Sequence, residues 1–317
     1  MRMRHAIAAA LAAACFSTVT GAVQAGPTGY VLGNGGTTLH TFDVASPGGA
    51  AAIQLTFGGV GASLDDIDFR PLTGRLYGYN DVRDAYFTVD VATGILTAAS
   101  GPGVAATNSD KLGIDFNPVI DRLRTVSELG ENIVYNPLTG GTTVATGLFY
   151  GAGDANAGAT PQVVANAYTN SAAGAATTTQ YVLDAGLDTL AILANNLGTL
   201  TTVGRVTYNG AFLDFGPDAG FDVFSGPGGV NIAYALLNVG NTSSLYTIDL
   251  STATASLVGD LPGGFGTIQG LAIAPAAVPE PSAIVLAALA AGLVAPRLLR
   301  AGRARRASSA EVPTARA

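Results

Sequence analysis

Carboxylates are the side chains of this sequence that are numerous and clustered enough to do chemistry. Asp65, Asp66 and Asp68 stand together, and Asp115 and Asp222 fall at the Asp68 position of two later segments with the same local pattern. Two acids held roughly 5–9 Å apart can act as the acid and the nucleophile or base of a glycosidase. A side chain that recurs at one position of successive repeats more often has a hydrogen-bonding task set by the template. Asp68, Asp115 and Asp222 are therefore read as binding or structural acids, and no catalytic residue is assigned.

Other chemistries lack their residues. Outside the first 25 positions the chain has one histidine, His40, and no cysteine, because His5 and Cys15 both lie in that segment. His40 sits in a Thr-Leu-His-Thr-Phe run that reads as a strand, where an ordinary side chain on a half-exposed face is expected. There is no Gly-x-Ser-x-Gly elbow, no His-Glu-x-x-His pair and no phosphate-binding loop, and zinc has no ligand set. The turn Gly153-Asp154-Ala155-Asn156-Ala157-Gly158 alternates oxygen-bearing residues but lacks the further acids of a calcium loop, so a solvated loop is expected. No cofactor is expected.

Charge excludes one class of partner. The chain carries a formal −7 with a single lysine, Lys111. Arg2, Arg4, Arg297, Arg300, Arg303, Arg305, Arg306 and Arg316 lie in the end segments, so the middle is more acidic still. Such a surface repels nucleic acid.

The elements that position these acids are written as a repeat. Asp66-Ile67-Asp68-Phe69-Arg70-Pro71 with Thr73-Gly74-Arg75-Leu76-Tyr77 returns as Gly113-Ile114-Asp115-Phe116-Asn117-Pro118 with Asp121-Arg122-Leu123-Arg124. Tyr86-Phe87-Thr88-Val89-Asp90 returns as Asn132-Ile133-Val134-Tyr135-Asn136, and again as Leu245-Tyr246-Thr247-Ile248-Asp249. Short β-branched and aromatic runs separated by Pro, Thr and Gly signals are the grammar of an antiparallel meander. Comparable strands begin near Leu64, Lys111, Pro161, Asp218 and Thr267, a period of about 50 residues that points to propeller blades. The unit at 161–205 is the least regular, with a Gly/Ala/Thr loop expected at 170–179. The first unit, with Tyr30-Val31-Leu32 and Thr38–Asp43, lacks an inner strand, whereas Ile268–Ala274 is a strand without a unit. Joining them gives an all-β propeller of five four-stranded blades closed by its two ends. Arg75 and Arg122 recur after the hairpin turns, where they are expected to neutralise neighbouring acids.

The ends carry addresses. Residues 1–25 run from Arg2 and Arg4 through an apolar stretch to Val23-Gln24-Ala25, the order of a secretory signal peptide cut between Ala25 and Gly26. A lipoprotein reading centred on Cys15 ranks second. Residues 26–277 form the propeller domain. Pro279-Glu280-Pro281 is followed by an apolar helix expected at about 282–299, then by Arg297, Arg300, Arg303, Arg305 and Arg306, which hold that end in the cytoplasm. Residues 278–306 resemble the PEP-CTERM sorting signal of exported bacterial proteins, with a tail at 307–317 expected to be disordered. That resemblance implies processing by an exosortase-type enzyme, membrane attachment before it, and a Gram-negative outer surface or extracellular matrix as destination. The bland alternative is a plain C-terminal anchor.

The Ile-Asp-Phe-Arg-Pro and Gly-Ile-Asp-Phe-Asn-Pro segments, with Asp-Arg-Leu-Arg and Leu-Tyr-Thr-Ile-Asp-Leu, resemble the domain-of-unknown-function 4394 family over nearly all of 30–275. The resemblance implies an exported, propeller-like domain and brings no catalytic residues with it. The expected function is a non-catalytic binding or structural protein of the envelope or matrix, with a polysaccharide as candidate partner. The alternatives are a carbohydrate-active enzyme using propeller-face carboxylates and a glycan- or cation-binding module.

Overall fold

The computed structural model describes residues 26–100 and 108–275. The signal segment 1–25, the sorting segment 278–306 with its helix at 282–299, and the tail 307–317 lie outside them. Among the described residues there are strands, turns and short 3-10 turns, and no helix is long and apolar enough to cross a membrane.

Five antiparallel sheets stand around one axis, each contributing one inner strand. In ring order these are Gln269–Ile273, Asp66–Arg70, Leu112–Asn117, Val163–Tyr168 and Gly220–Ser225, each packed against the next, and the last against the first. The first blade takes its inner strand from the C-terminal side and its other three, Thr28–Gly33, Thr38–Asp43 and Ser46–Gln54, from the N-terminal side. Gly29 pairs with Ile273 and Val31 with Leu271, and Leu32 meets Gln269 after a bulge at Gly270, whose φ of 63° suits a residue without Cβ. The expected closure through the termini is therefore present, in a ring of five blades.

The core explains why the inner strands read as unbroken apolar runs. Successive side chains of a strand point to opposite faces, and in a blade both faces meet a neighbour. Val31 joins the cluster between the fifth and first blades with Leu236 and Leu271, while Leu32 joins the cluster between the first and second with Ile67 and Leu76. Three further clusters fill the remaining interfaces, so each of the five junctions has its own core. Between the second and third blades that core is aromatic, with Tyr86 stacked on Tyr135 at 4.2 Å and its hydroxyl 2.7 Å from Thr125 Oγ1.

Two blades carry more than four strands, and a third gains an isolated bridge. The connector entering each runs parallel to the outer strand before it turns inward: Thr56 bridges Ile95, Phe149–Tyr150 pairs with Thr199–Leu200, and Thr207–Tyr208 pairs with Thr254–Ala255. One hydrogen bond recurs at these places. The N–H groups of Thr56, Phe149 and Thr207 donate to the carbonyls of Gly94, Gly198 and Ala253 at 3.0, 3.0 and 3.1 Å. The period-2 pattern gave no sign of these two-residue strands, which are too short to show alternation. The loop expected at 170–179 is there, between Val163–Tyr168 and Gln180–Asp184.

Candidate functional site

The inner strands place their acids by register. Asp68 Oδ2 accepts the N–H of Phe116 in the next blade at 2.8 Å, and Asp222 Oδ2 accepts that of Ile273 at 2.5 Å. Phe116 follows Asp115, and Ile273 follows Ala272, so one tier of the axis is made by Ala272, Asp68, Asp115, Ala167 and Asp222. Three of those five positions are acids, and oxygens from the three carboxylates lie within 4.8 Å of one another. All are buried, with Asp68 and Asp222 3% exposed and Asp115 1%.

A second tier, two residues earlier on each strand, closes the axis. A Cβ on Gly113 would lie 2.5 Å from Ala165 Cα, and one on Gly220 would lie 2.6 Å from Leu271 N. Only the absence of a side chain lets the strands approach so closely. Asp66 holds the equivalent place in the second blade, its Oδ2 accepting the Ile114 N–H at 2.6 Å. At the other side Asp68 and Asp222, with Ser171 and Ser225, line a narrow opening with room for the centre of a water-sized sphere over about 10 Å³.

Burial governs the electrostatics. It pushes Asp66, Asp68 and Asp115 well above the usual carboxylate range, with the charges of the neighbouring acids adding to it. It raises Asp222 to about 7, against the favourable N–H groups of Ile273 and Val223. Backbone N–H groups partly offset the cost for all four acids, that of Tyr168 serving Asp115, but neither buried oxygen of Asp115 makes a hydrogen bond of good geometry. Nor do cationic side chains serve the acids: among the described residues the ion pairs are Arg70 with Asp121, Lys111 with Asp110 and Asp218, and Arg205 with Asp188. Buried Arg124 is held by the Tyr168 hydroxyl and the side-chain carbonyls of Asn132 and Asn196.

The structure thus unites Asp68, Asp115 and Asp222. Their grouping rather than their recurrence is what the sequence concealed, since three strands 47 to 154 residues apart meet only at the axis. Asp66 was visible in the sequence, yet its place in the second tier was not. Pro279, Glu280, Pro281 and Arg297, Arg300, Arg303, Arg305 and Arg306 lie outside the described residues, as does Ala25; Gly26 begins them as half-buried coil.

Two expectations are revised. His40 is 4% exposed instead of half-exposed. Its Nε2 lies 2.9 Å from Thr38 Oγ1, its ring stacks on Phe265 at 4.1 Å, and burial lowers its pKa. The hairpin ion pair comes from Arg70, reaching Asp121 across two blades, whereas Arg122 donates to the Ile120 and Asp121 carbonyls. The turn at 153–158 is the mostly exposed loop expected, and Asp154 within it accepts the N–H and hydroxyl of Thr202 and the N–H of Asn156, which fastens it to an outer strand.

The profile of a family described as a domain of unknown function, DUF4394, matches residues 38–272. No curated protein matches the sequence. Solved structures with some likeness include one described as Kuenenia stuttgartiensis hydrazine synthase, at 14% identity and a TM-score of 0.37 over 62% of this chain. This chain covers 49% of that one, about half its length. Another is a chain of a nidogen/laminin complex, at 12% identity and a TM-score of 0.42, covering 78% of this chain and 98% of that one. Neither likeness bears on what this chain does.

Proposed function

The chain belongs to the DUF4394 family, a domain of unknown function, and from that premise we propose that it is an exported propeller whose work is binding or structural rather than catalytic. One observation carries this reading: its clustered acids are sealed on the axis. A glycosidase needs a sugar ring to enter between two carboxyls roughly 5–9 Å apart. Here oxygens of Asp68, Asp115 and Asp222 lie within 4.8 Å, and the opening beside them has space on the scale of one water. The other usual partners of nucleophilic catalysis are few, since His40 is buried against Phe265 and Thr38.

Its address supplies the rest of the proposal. The segment 1–25 directs export, and 278–306 holds the protein in the membrane through the helix at about 282–299. An exosortase-type enzyme then recognises Pro279-Glu280-Pro281 and releases the propeller to the outer surface or matrix of a Gram-negative cell. A polysaccharide of that envelope or matrix is the partner class this reading names.

Screening the purified full chain against glycoside and ester substrates tests the catalytic half, with signals expected to equal buffer. Turnover that disappears in Asp68→Asn while the fold survives would overturn it. Cell fractionation tests the address: the full chain should travel with membranes, and a chain ending at Ala277 should appear in the periplasm or medium. Membrane retention of the shortened chain, or a lipid on Cys15, would place the anchor elsewhere.

A further inference from the structure

Three carboxylates meet on the axis with no positive side chain among them, and Asp115 has only the Tyr168 N–H to face it. Asp115 is 1% exposed, and neither of its oxygens makes a hydrogen bond of good geometry. A buried carboxylate without compensation is among the costliest arrangements in a protein interior, so something must answer its charge. The arginines and the lysine that form ion pairs among the described residues are committed to other acids, and Arg124 to Tyr168, Asn132 and Asn196.

Protons and a cation are the two possible answers, and the spacing has room for a cation. Carboxyls that share a proton stand at hydrogen-bond distance, about 2.5–2.7 Å. Oxygens of Asp68, Asp115 and Asp222 all fall within 4.8 Å of one another. Oxygens around a calcium ion, each about 2.4 Å from it, lie roughly 3.4 Å apart when adjacent and 4.8 Å apart when opposite. The donors are all hard oxygens, which suits calcium and not the transition metals. Asp66, two residues along the same strand face as Asp68, adds a fourth nearby buried acid. The opening lined by Asp68, Asp222, Ser171 and Ser225 gives an ion a polar way in.

We propose that the propeller axis binds one calcium ion through carboxylate oxygens of Asp68, Asp115 and Asp222. The ion ties the second, third and fifth blades together at their inner strands, where the chain has no covalent link of its own. This inference is independent of the proposed function: a calcium-tied propeller can be catalytic or not, and a metal-free one can still be sorted to the envelope.

The test uses the purified full-length chain, stripped with a calcium chelator and then dialysed against calcium or magnesium. Elemental analysis should return one calcium per chain, and adding calcium should raise the melting temperature by several degrees. Asp115→Asn should keep the strand signature in circular dichroism and bind calcium at least about tenfold more weakly. If that variant does not fold, Asp222→Asn, whose amide oxygen can still accept the Ile273 N–H, is read the same way. No calcium uptake at millimolar concentration, or unchanged affinity in the folded variant, would overturn the site. Magnesium binding as tightly as calcium would overturn the choice of ion.

Discussion

Asp65 is adjacent to the axial acids in sequence but makes a different contact. Its Oδ2 accepts the Asp81 N–H at 2.6 Å, while its own N–H donates to the Tyr79 carbonyl. Burial pushes its carboxyl up to about 8; the Asp81 N–H opposes that shift, and the charges of Asp81 and Asp110 add to it. An acid whose folded pKa lies above its unfolded value keeps its proton longer in the folded state. Its stabilising contribution is complete below about pH 4, declines as pH rises toward 8, and is gone beyond. Asp65→Asn keeps an oxygen for the Asp81 N–H and removes the ionisation. The variant should be more stable than the parent at pH 8 by about 1–3 kcal/mol, one pKa unit being worth about 1.4 kcal/mol, and equal to it near pH 4. Urea titrations at both pH values check this; a constant difference between the two proteins at all pH values would count against it. Asp68, Asp115 and Asp222 titrate in both proteins alike, so the comparison isolates Asp65.

Among the elements, the turns before the outer strands are where sequence template and packing coincide. Asp90, Asn136 and Asp249 each accept an N–H two residues ahead, from Ala92, Leu138 and Ser251, which folds the chain back after the third strand of a blade. The turns end at Gly94, Gly140 and Ala253 with φ of 72°, 74° and 58°. At Gly94 there is a second demand, because the connector passes over it: a Cβ would lie 2.4 Å from the Gln54 carbonyl oxygen. Gly74 has a similar φ of 66° and open space around it. Gly74→Ala should therefore cost about 1 kcal/mol of backbone strain. Gly94→Ala should cost roughly 2–4 kcal/mol, since overpacking adds about 1–3 to the strain. Thermal melts of the two variants decide it, and equal losses would mean that the connector yields to the methyl group.

For the whole molecule, closure is the property on which the rest depends. Leu271, Ala272 and Ile273 are almost wholly buried, and Leu271 and Ala272 serve different interfaces. Removing Gln269–Ile273 strips both junctions of the first blade and leaves Thr28–Gly33 as an unpaired edge. Two large apolar side chains at roughly 1.5–3 kcal/mol each, together with the lost strand pairing, are a large part of the about 5–15 kcal/mol that holds a domain together. That deletion should give an unfolded or aggregated protein. A chain ending at Ala277 should melt at the temperature of the parent. Circular dichroism of the two truncations checks both outcomes, and a folded deletion variant would show that the ring does not depend on its closing strand.

What the sequence alone determined follows from local rules repeated five times. Alternating β-branched and aromatic runs, Asx and Thr-Gly turns and a spacing of about 50 residues specify strands, meander and blade, and the unmatched strands at the two ends specify the closure. Those signals are local or periodic, so they survive in one dimension. The short connector strands, the burial of His40 and the Arg70–Asp121 pair do not, because each depends on which blade lies alongside. Above all, Asp68, Asp115 and Asp222 are legible as a recurring template residue, and recurrence favours a structural role for each taken singly. Only the closed ring turns the same face of three inner strands toward one axis. It leaves small residues, Ala167 and Ala272, at the other two positions, so that three carboxyl groups share a space that none of their local sequences describes.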